Sequence, residues 1–255
     1  MGEWVVAVDI GNSRTKFGLF QNRQLKSHNS IEGTDEAAVL SHAQHILDST
    51  SVSFSGLVWK LAGVVPLRLK TLENFLVSLG QDVIVLASSA CIMPMDFEQK
   101  NSVGVDRLLA CIAAWKSVPL GHSCIVVDAG TALTINRVSP NGFFCGGSIQ
   151  PGWMLMARSL RNGTSQLPML DFTNLDPGWP GQDTSSAIRA GLCLAMRGSI
   201  REVVRIEKQQ GIASRLYFTG GHGSWLHNSL QIEGVYFPHL VLEGICLVDA
   251  GNHEA

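Results

Sequence analysis

The chain has 255 residues, 45% of them hydrophobic, and a formal net charge of −2. That is enough apolar material for one large core or two smaller lobes, and the near-neutral charge argues against a broad nucleic-acid or membrane surface. The six cysteines form no CxxC pair and the eight histidines no HExxH, so zinc-ribbon and zincin readings lack support and the cysteines read as reduced core residues. No signal-peptide pattern and no apolar run near the ~20 residues of a membrane span is found, so the expected location is the cytoplasm.

The opening stretch WVVAVDIGNSRTKFGLF, Trp4–Phe20, reads as strand, tight turn, strand. Gly and Asn are expected to supply the positive φ angles that tight turns often use. Asp9, an acid at a strand end, suits a hydrated Mg²⁺ ion. Gly11 permits close backbone approach, Asn12, Ser13 and the local N–H groups can donate to phosphate, and Lys16 adds a positive charge. Taken alone, the stretch is equally an ordinary hairpin with a polar turn.

Gln24–Ser30 is expected to add a third strand, and Asp35–Ser49 has helical spacing. Ser55–Val65 reads as a buried strand ended by Pro66, Leu67–Leu79 as a helix and Val83–Leu86 as a short strand. This alternation predicts a mixed α/β layer fold. Met93–Ser102 is an irregular connection, and Gly104–Val118 a helix with Asp106 in or beside its first turn. Asp106 is either an ordinary cap or, beside Arg107, part of a ligand site: an acid to take a proton and a guanidinium to hold an anion.

Cys124–Val138, CIVVDAGTALTINRV, repeats the opening pattern. Asp128-Ala129-Gly130 matches Asp9-Ile10-Gly11 at a separation of 119 positions (128 less 9), close to half the chain. An internal duplication is the economical explanation, and two such turns facing each other would clamp a phosphate chain from two sides. Gly142–Gln150 is read as a strand turning at Gly146-Gly147, Trp153–Leu160 as a helix, and Asn162–Gly181 as a long loop. A long helix follows from Asp183-Thr184, with Thr184 as N-cap or ligand contact. Arg215–Thr219 is a strand ending in Gly220-Gly221-His222-Gly223, where either a ligand approaches or the chain simply turns. His239–Val248 closes the chain as an apolar helix.

Seven motifs in order, DIGNSRTKFGLF, AGVVP, GVDR, DAGTALT, GGSIQPG, DTSSAIRAG and FTGG, resemble type III pantothenate kinases of the acetate-kinase/sugar-kinase/Hsp70/actin superfamily. The resemblance runs from about Trp4 to Gly221. It implies an α/β fold of two ribonuclease-H-like (actin-like ATPase) lobes, mixed sheets flanked by helices, at residues 1–118 and 119–255. It further implies ATP-dependent phosphorylation of pantothenate, the first step towards coenzyme A, in a homodimer with no nucleic-acid or membrane partner. By the same resemblance, Asp9 holds Mg²⁺ through water, and Gly11, Asn12, Ser13, Lys16, Gly130 and Thr131 serve the ATP phosphates. Gly220 and Gly221 border the nucleoside. Asp106 is the general base, Gly104 and Arg107 hold pantothenate, Thr184 closes its pocket from the partner subunit, and Asp128 binds K⁺ or NH₄⁺.

The chain departs from the family pattern in having Ser13 for Thr, Asn136 for a second Asp, and Gln99, Lys100 and Asn101 where Tyr and Pro often stand. Two other classes stay open: a superfamily kinase acting on another small alcohol or sugar, and a non-enzymatic regulator. Intact Asp9, Asp106 and Asp128 argue against the second.

Overall fold

The structure, a computed structural model, describes residues 3–32, 35–49, 57–88, 93–95, 102–170, 175 and 178–248. In chain order the elements are β1 (Trp4–Ile10), β2 (Arg14–Gln21), β3 (Gln24–Glu32), α1 (Glu36–Ser49), β4 (Leu57–Gly63), α2 (Pro66–Ser78), β5 (Asp82–Val85) and α3 (Val105–Ser117). Then follow β6 (Ser123–Ala129), β7 (Ala132–Val138), β8 (Phe144–Pro151), α4 (Trp153–Asn162), α5 (Thr184–Gln209), β9 (Ser214–Thr219), α6 (Gly223–Leu230), β10 (Val235–Tyr236) and α7 (Leu240–Leu247). They divide into two units, Met1–Ser117 with His239–Ala255, and Val118–Pro238.

In the first unit the strands run in the order β3-β2-β1-β4-β5. β1 pairs antiparallel with β2 and parallel with β4. Alternation along β1 sends Val6, Val8 and Ile10 into a core with Phe17, Trp59 and Leu61, closed by Val39 and Ala43 of α1 and Leu72 and Leu76 of α2. α2 starts on Pro66 itself, because Val65 is extended and proline's fixed φ suits the first helical position.

Left-handed backbone falls elsewhere than expected. Gly11 and Asn12 are not among the positive-φ residues; Asn22 (φ 49°) and Arg23 (φ 64°) are, and they make the β2–β3 hairpin turn. Glycine at 11 eases a tight turn instead: its N–H donates to the Arg14 carbonyl at 2.9 Å, and a Cβ there would lie 3.1 Å from that oxygen, closer than most side chains come.

The final helix, expected in the second lobe, belongs to the first unit. At Gly244 a Cβ would fall 2.1 Å from the Leu109 carbonyl oxygen, so only glycine lets α7 come this close to α3. Lys60, buried in β4, donates to the carbonyls of Cys246 (3.2 Å) and Val248 (2.7 Å), neutralising the negative end of α7.

The second unit repeats the first. Its strand order, read from the other edge, is β8-β7-β6-β9-β10, with the same parallel and antiparallel pairings. Ile125, Val127, Leu133 and Phe218 pack on Trp153, Met196, Ile200 and Leu226. β8 does not turn at Gly146-Gly147: Gly147 pairs with Asn136, and the register shifts between Asn136 and Val138. Gly146 absorbs the shift with φ 89°. The N-cap of α5 is Asp183, whose side chain accepts from the Ser186 N–H in a capping box; Thr184 is the first helical residue.

Four of the five described cysteines are buried and Cys145 is exposed; Cys91 lies outside the described residues. Burial pushes the Cys124 thiol up to about 12, in keeping with a core role. Parts of the 93–102 connection and the 162–181 loop, Gln99, Lys100, Asn101, and residues 249–255 also lie outside the described residues.

Candidate active site

Asp9 is the sixth of the seven residues of β1, and Asp128 the sixth of the seven of β6. Each is followed by one apolar residue and a glycine. The repeated motif thus occupies the same position in two sheets of the same order.

In the first unit, Asp9 is 7% exposed and lies opposite Lys16 in the β1–β2 ladder. Lys16 Nζ is 3.5 Å from Asp9 Oδ2. Burial raises the Asp9 pKa above its ordinary value, the charge and hydrogen bond of Lys16 pull it down, and the charge of Asp106 pushes it up again. Asp106, half-buried in the first turn of α3, is therefore close enough to Asp9 for their charges to interact. Its Oδ1 accepts from the Arg107 N–H at 2.9 Å. A Cβ at Gly104 would lie 2.6 Å from that same Oδ1, so glycine clears the space the carboxylate occupies. Asn12 and Ser13 are exposed at the tip of the turn, and Gly11 is half-buried.

The sequence reading missed Arg68. From the first turn of α2 its Nη1 donates to the Gly11 carbonyl at 3.3 Å and the Asn12 carbonyl at 3.2 Å. No local pattern links residues so far apart; the AGVVP segment was the nearest signal.

In the second unit, Asp128 is half-buried, with Thr134 as its neighbour across the ladder where Asp9 has Lys16. Gly220, at φ 85°, is held against this turn: a Cβ would fall 2.3 Å from Asp128 Oδ1 and 2.7 Å from the Ala129 carbonyl oxygen. The His222 N–H donates to Ala129 O at 3.0 Å. Gly152, also missed, donates to Thr131 O at 3.0 Å and would carry a Cβ only 2.4 Å from Gly130 O. Asp128, Gly130, Thr131 and Gly220 are thus brought together, with Gly221 exposed beside them. Asn136 is buried and donates to Thr134 Oγ1 at 3.1 Å. Thr184 is exposed in the first turn of α5.

Among the described residues, no group of three or more His, Cys, Asp or Glu forms a candidate metal cluster. No described helix is long and apolar enough to cross a membrane.

Two α/β units of identical strand order, each with an acid–glycine turn after its first strand, make up the duplicated actin-like fold. A solved Sinorhizobium meliloti structure described as a 2-dehydro-3-deoxygalactonokinase shares this fold, with a TM-score of 0.58 and 12% identity over 96% of this chain and 97% of that one. A Campylobacter jejuni structure described as a Baf-family transcriptional activator does too, with a TM-score of 0.58 and 23% identity over 96% of each chain. Within this fold class, the family model for type III pantothenate kinase matches residues 5–206. A protein of that name from Alkalilimnicola ehrlichii is 30% identical over 247 residues, covering 96% of this chain and 97% of its own. The chain belongs to the type III pantothenate kinase family, a family of phosphotransferases.

Proposed function

We propose that this chain transfers the γ-phosphoryl group of ATP to the hydroxyl of pantothenate, giving 4′-phosphopantothenate, the first step of coenzyme A synthesis. The observation that carries the reading, beside family membership, is the buried Asp9 carboxylate interacting with both Lys16 and Asp106. Phosphoryl transfer depends on positioning and charge neutralisation more than on covalent help from the protein. Lys16 and the N–H groups of Asn12 and Ser13 hold phosphate oxygens. Asp106 accepts a hydrogen bond from the acceptor hydroxyl, orients it, and takes its proton as the bond to phosphorus forms. Gly104 leaves room for that carboxylate, and Arg107 holds the polar end of pantothenate.

Asp9, a buried carboxylate at the end of β1, suits Mg²⁺, which keeps most of its waters, and would hold it through one of them. When bound, the ion neutralises charge on the ATP phosphates. The second turn differs in a way that suits a monovalent cation: Asp128 faces Thr134 across the ladder, where Asp9 faces a lysine. We assign K⁺ or NH₄⁺ to Asp128. Gly130 and Thr131 serve the phosphates, and Gly220 and Gly221 border the nucleoside. The active form is a homodimer in which Thr184 closes the pantothenate pocket of the partner subunit, and it works in the cytoplasm, where ATP and K⁺ are abundant.

A coupled ADP-release assay, with pantothenate set against a panel of small alcohols and sugars, tests the reading. ADP release that needs pantothenate and Mg²⁺ supports it. Release with a sugar and not with pantothenate would reassign the substrate, and no release with any acceptor would favour a regulator.

A further inference from the structure

Arg68 occupies the first turn of α2, where the helix dipole disfavours a cation. Its partners are two successive main-chain carbonyls, Gly11 O at 3.3 Å and Asn12 O at 3.2 Å, both meeting Nη1. In a trans peptide the C=O and the following N–H point in opposite directions. Drawing these two carbonyls towards the guanidinium therefore aims the N–H groups of Asn12 and Ser13 the other way, side by side. Successive N–H groups presented on one side make an anion-binding concavity. The Gly11 N–H is already committed to Arg14 O at 2.9 Å, which fixes the other end of the turn. A positive charge on the carbonyl side also polarises both peptide units and strengthens their N–H groups as donors.

The other cations nearby serve different partners. Arg14 pairs with Glu32 at 3.3 Å and Lys16 with Asp9 at 3.5 Å. Arg68 holds the backbone of the turn. Its stem borders a cavity of about 10 Å³ walled by Ile10, Thr15 and Leu72, so methionine, of similar length, keeps the apolar contact while removing the charge.

We propose that Arg68 is a positioning residue for the ATP phosphates: it does not touch the nucleotide but orients and polarises the two backbone donors that do. This rests on the reading of the Gly11–Ser13 turn as phosphate-binding. It predicts a selective effect on one substrate, because the contact is made to that turn and not to Asp106 or Arg107.

The test compares the full-length wild type with Arg68→Met, Arg68→Lys and Lys16→Met, by calorimetric titration with Mg-ATP and by steady-state kinetics. Arg68→Met is expected to weaken ATP binding and raise its KM by about tenfold, the usual effect of losing a charged hydrogen-bonding group. The KM for pantothenate and the melting temperature should stay close to wild type. Arg68→Lys, which restores a charge without the planar fork, should recover part of the loss. With Mg-ATP bound, amide exchange at Asn12 and Ser13 should be faster in Arg68→Met than in the wild type, because their bonds to phosphate are held less firmly, and intermediate in Arg68→Lys. Unchanged ATP affinity in Arg68→Met, or equal losses for both substrates together with a lower melting temperature, would overturn the assignment. If Arg68→Met does not fold, Arg68→Lys decides: a selective rise in ATP KM supports the role, and none overturns it. If Lys16→Met weakens ATP binding while neither Arg68 variant does, only the role of Arg68 falls. If the wild type binds no ATP, the phosphate-turn reading falls and this proposal with it.

Discussion

A Cβ at Gly104 would stand 2.6 Å from Asp106 Oδ1, so the glycine two residues before the proposed base sets where that carboxylate can be. Replacing it moves Asp106 even if α3 remains intact. Gly104→Ala is expected to lower kcat while the circular dichroism spectrum is kept. Asp106→Asn should lower it by about 10²–10⁴, the range for a lost general base. Single-turnover kinetics check both, and a normal chemical step in Asp106→Asn would remove that residue from proton transfer.

Asp9 carries a cost in the nucleotide-free protein. Burial raises its folded pKa, so the folded state holds the proton more tightly than the unfolded chain. Its stabilising contribution is greatest below the unfolded value, near 3.9, and is lost as pH rises through the raised folded value. Asp9→Asn should therefore melt at a higher temperature than wild type at pH 7 without Mg²⁺ or ATP, with the difference shrinking towards pH 4, and should be inactive. Paired melts across that range measure it; a lower melting temperature at pH 7 would mean that the Lys16 pair outweighs burial.

Gly220 is strained for any other residue, by its φ of 85° and by a Cβ only 2.3 Å from Asp128 Oδ1. Gly220→Ala is expected to cost about 1–3 kcal/mol, the range for a forced left-handed residue, and to disturb the carboxylate assigned to the monovalent ion. Asp128→Ala should flatten the K⁺ titration of activity. Full K⁺ activation in Asp128→Ala would put the ion elsewhere.

Lys60 holds the end of α7 from a buried strand position. Lys60→Met fits the space but removes the charged donor to the Cys246 and Val248 carbonyls. The expected cost is about 1.5–3 kcal/mol, the range for a hydrogen bond to a charged group. Urea unfolding checks it; an unchanged midpoint would show that water replaces the ammonium at no cost.

Much of this was legible along the chain because it is local. An apolar run, an acid, a glycine and a second apolar run specify a strand pair and its turn, and their recurrence at Asp128 exposed a duplication that the matching sheet orders bear out. The misses come from contacts between distant residues. Nothing near Gly244 signals that α7 packs on α3, and nothing near Arg68 signals the Gly11 turn. Asn22 and Arg23 took the left-handed backbone assigned to Gly11 and Asn12, because both hairpins have plausible turn residues and only their register decides. Thr184 lost the cap to Asp183, which can reach the Ser186 N–H from one residue earlier.

The most direct measurement is ADP release from the purified wild type with Mg-ATP, with and without pantothenate, alongside Asp106→Asn. Release that depends on pantothenate, yields 4′-phosphopantothenate one-for-one and nearly vanishes in the variant is the predicted result. Equal release without pantothenate, or an unimpaired Asp106→Asn enzyme, would contradict it.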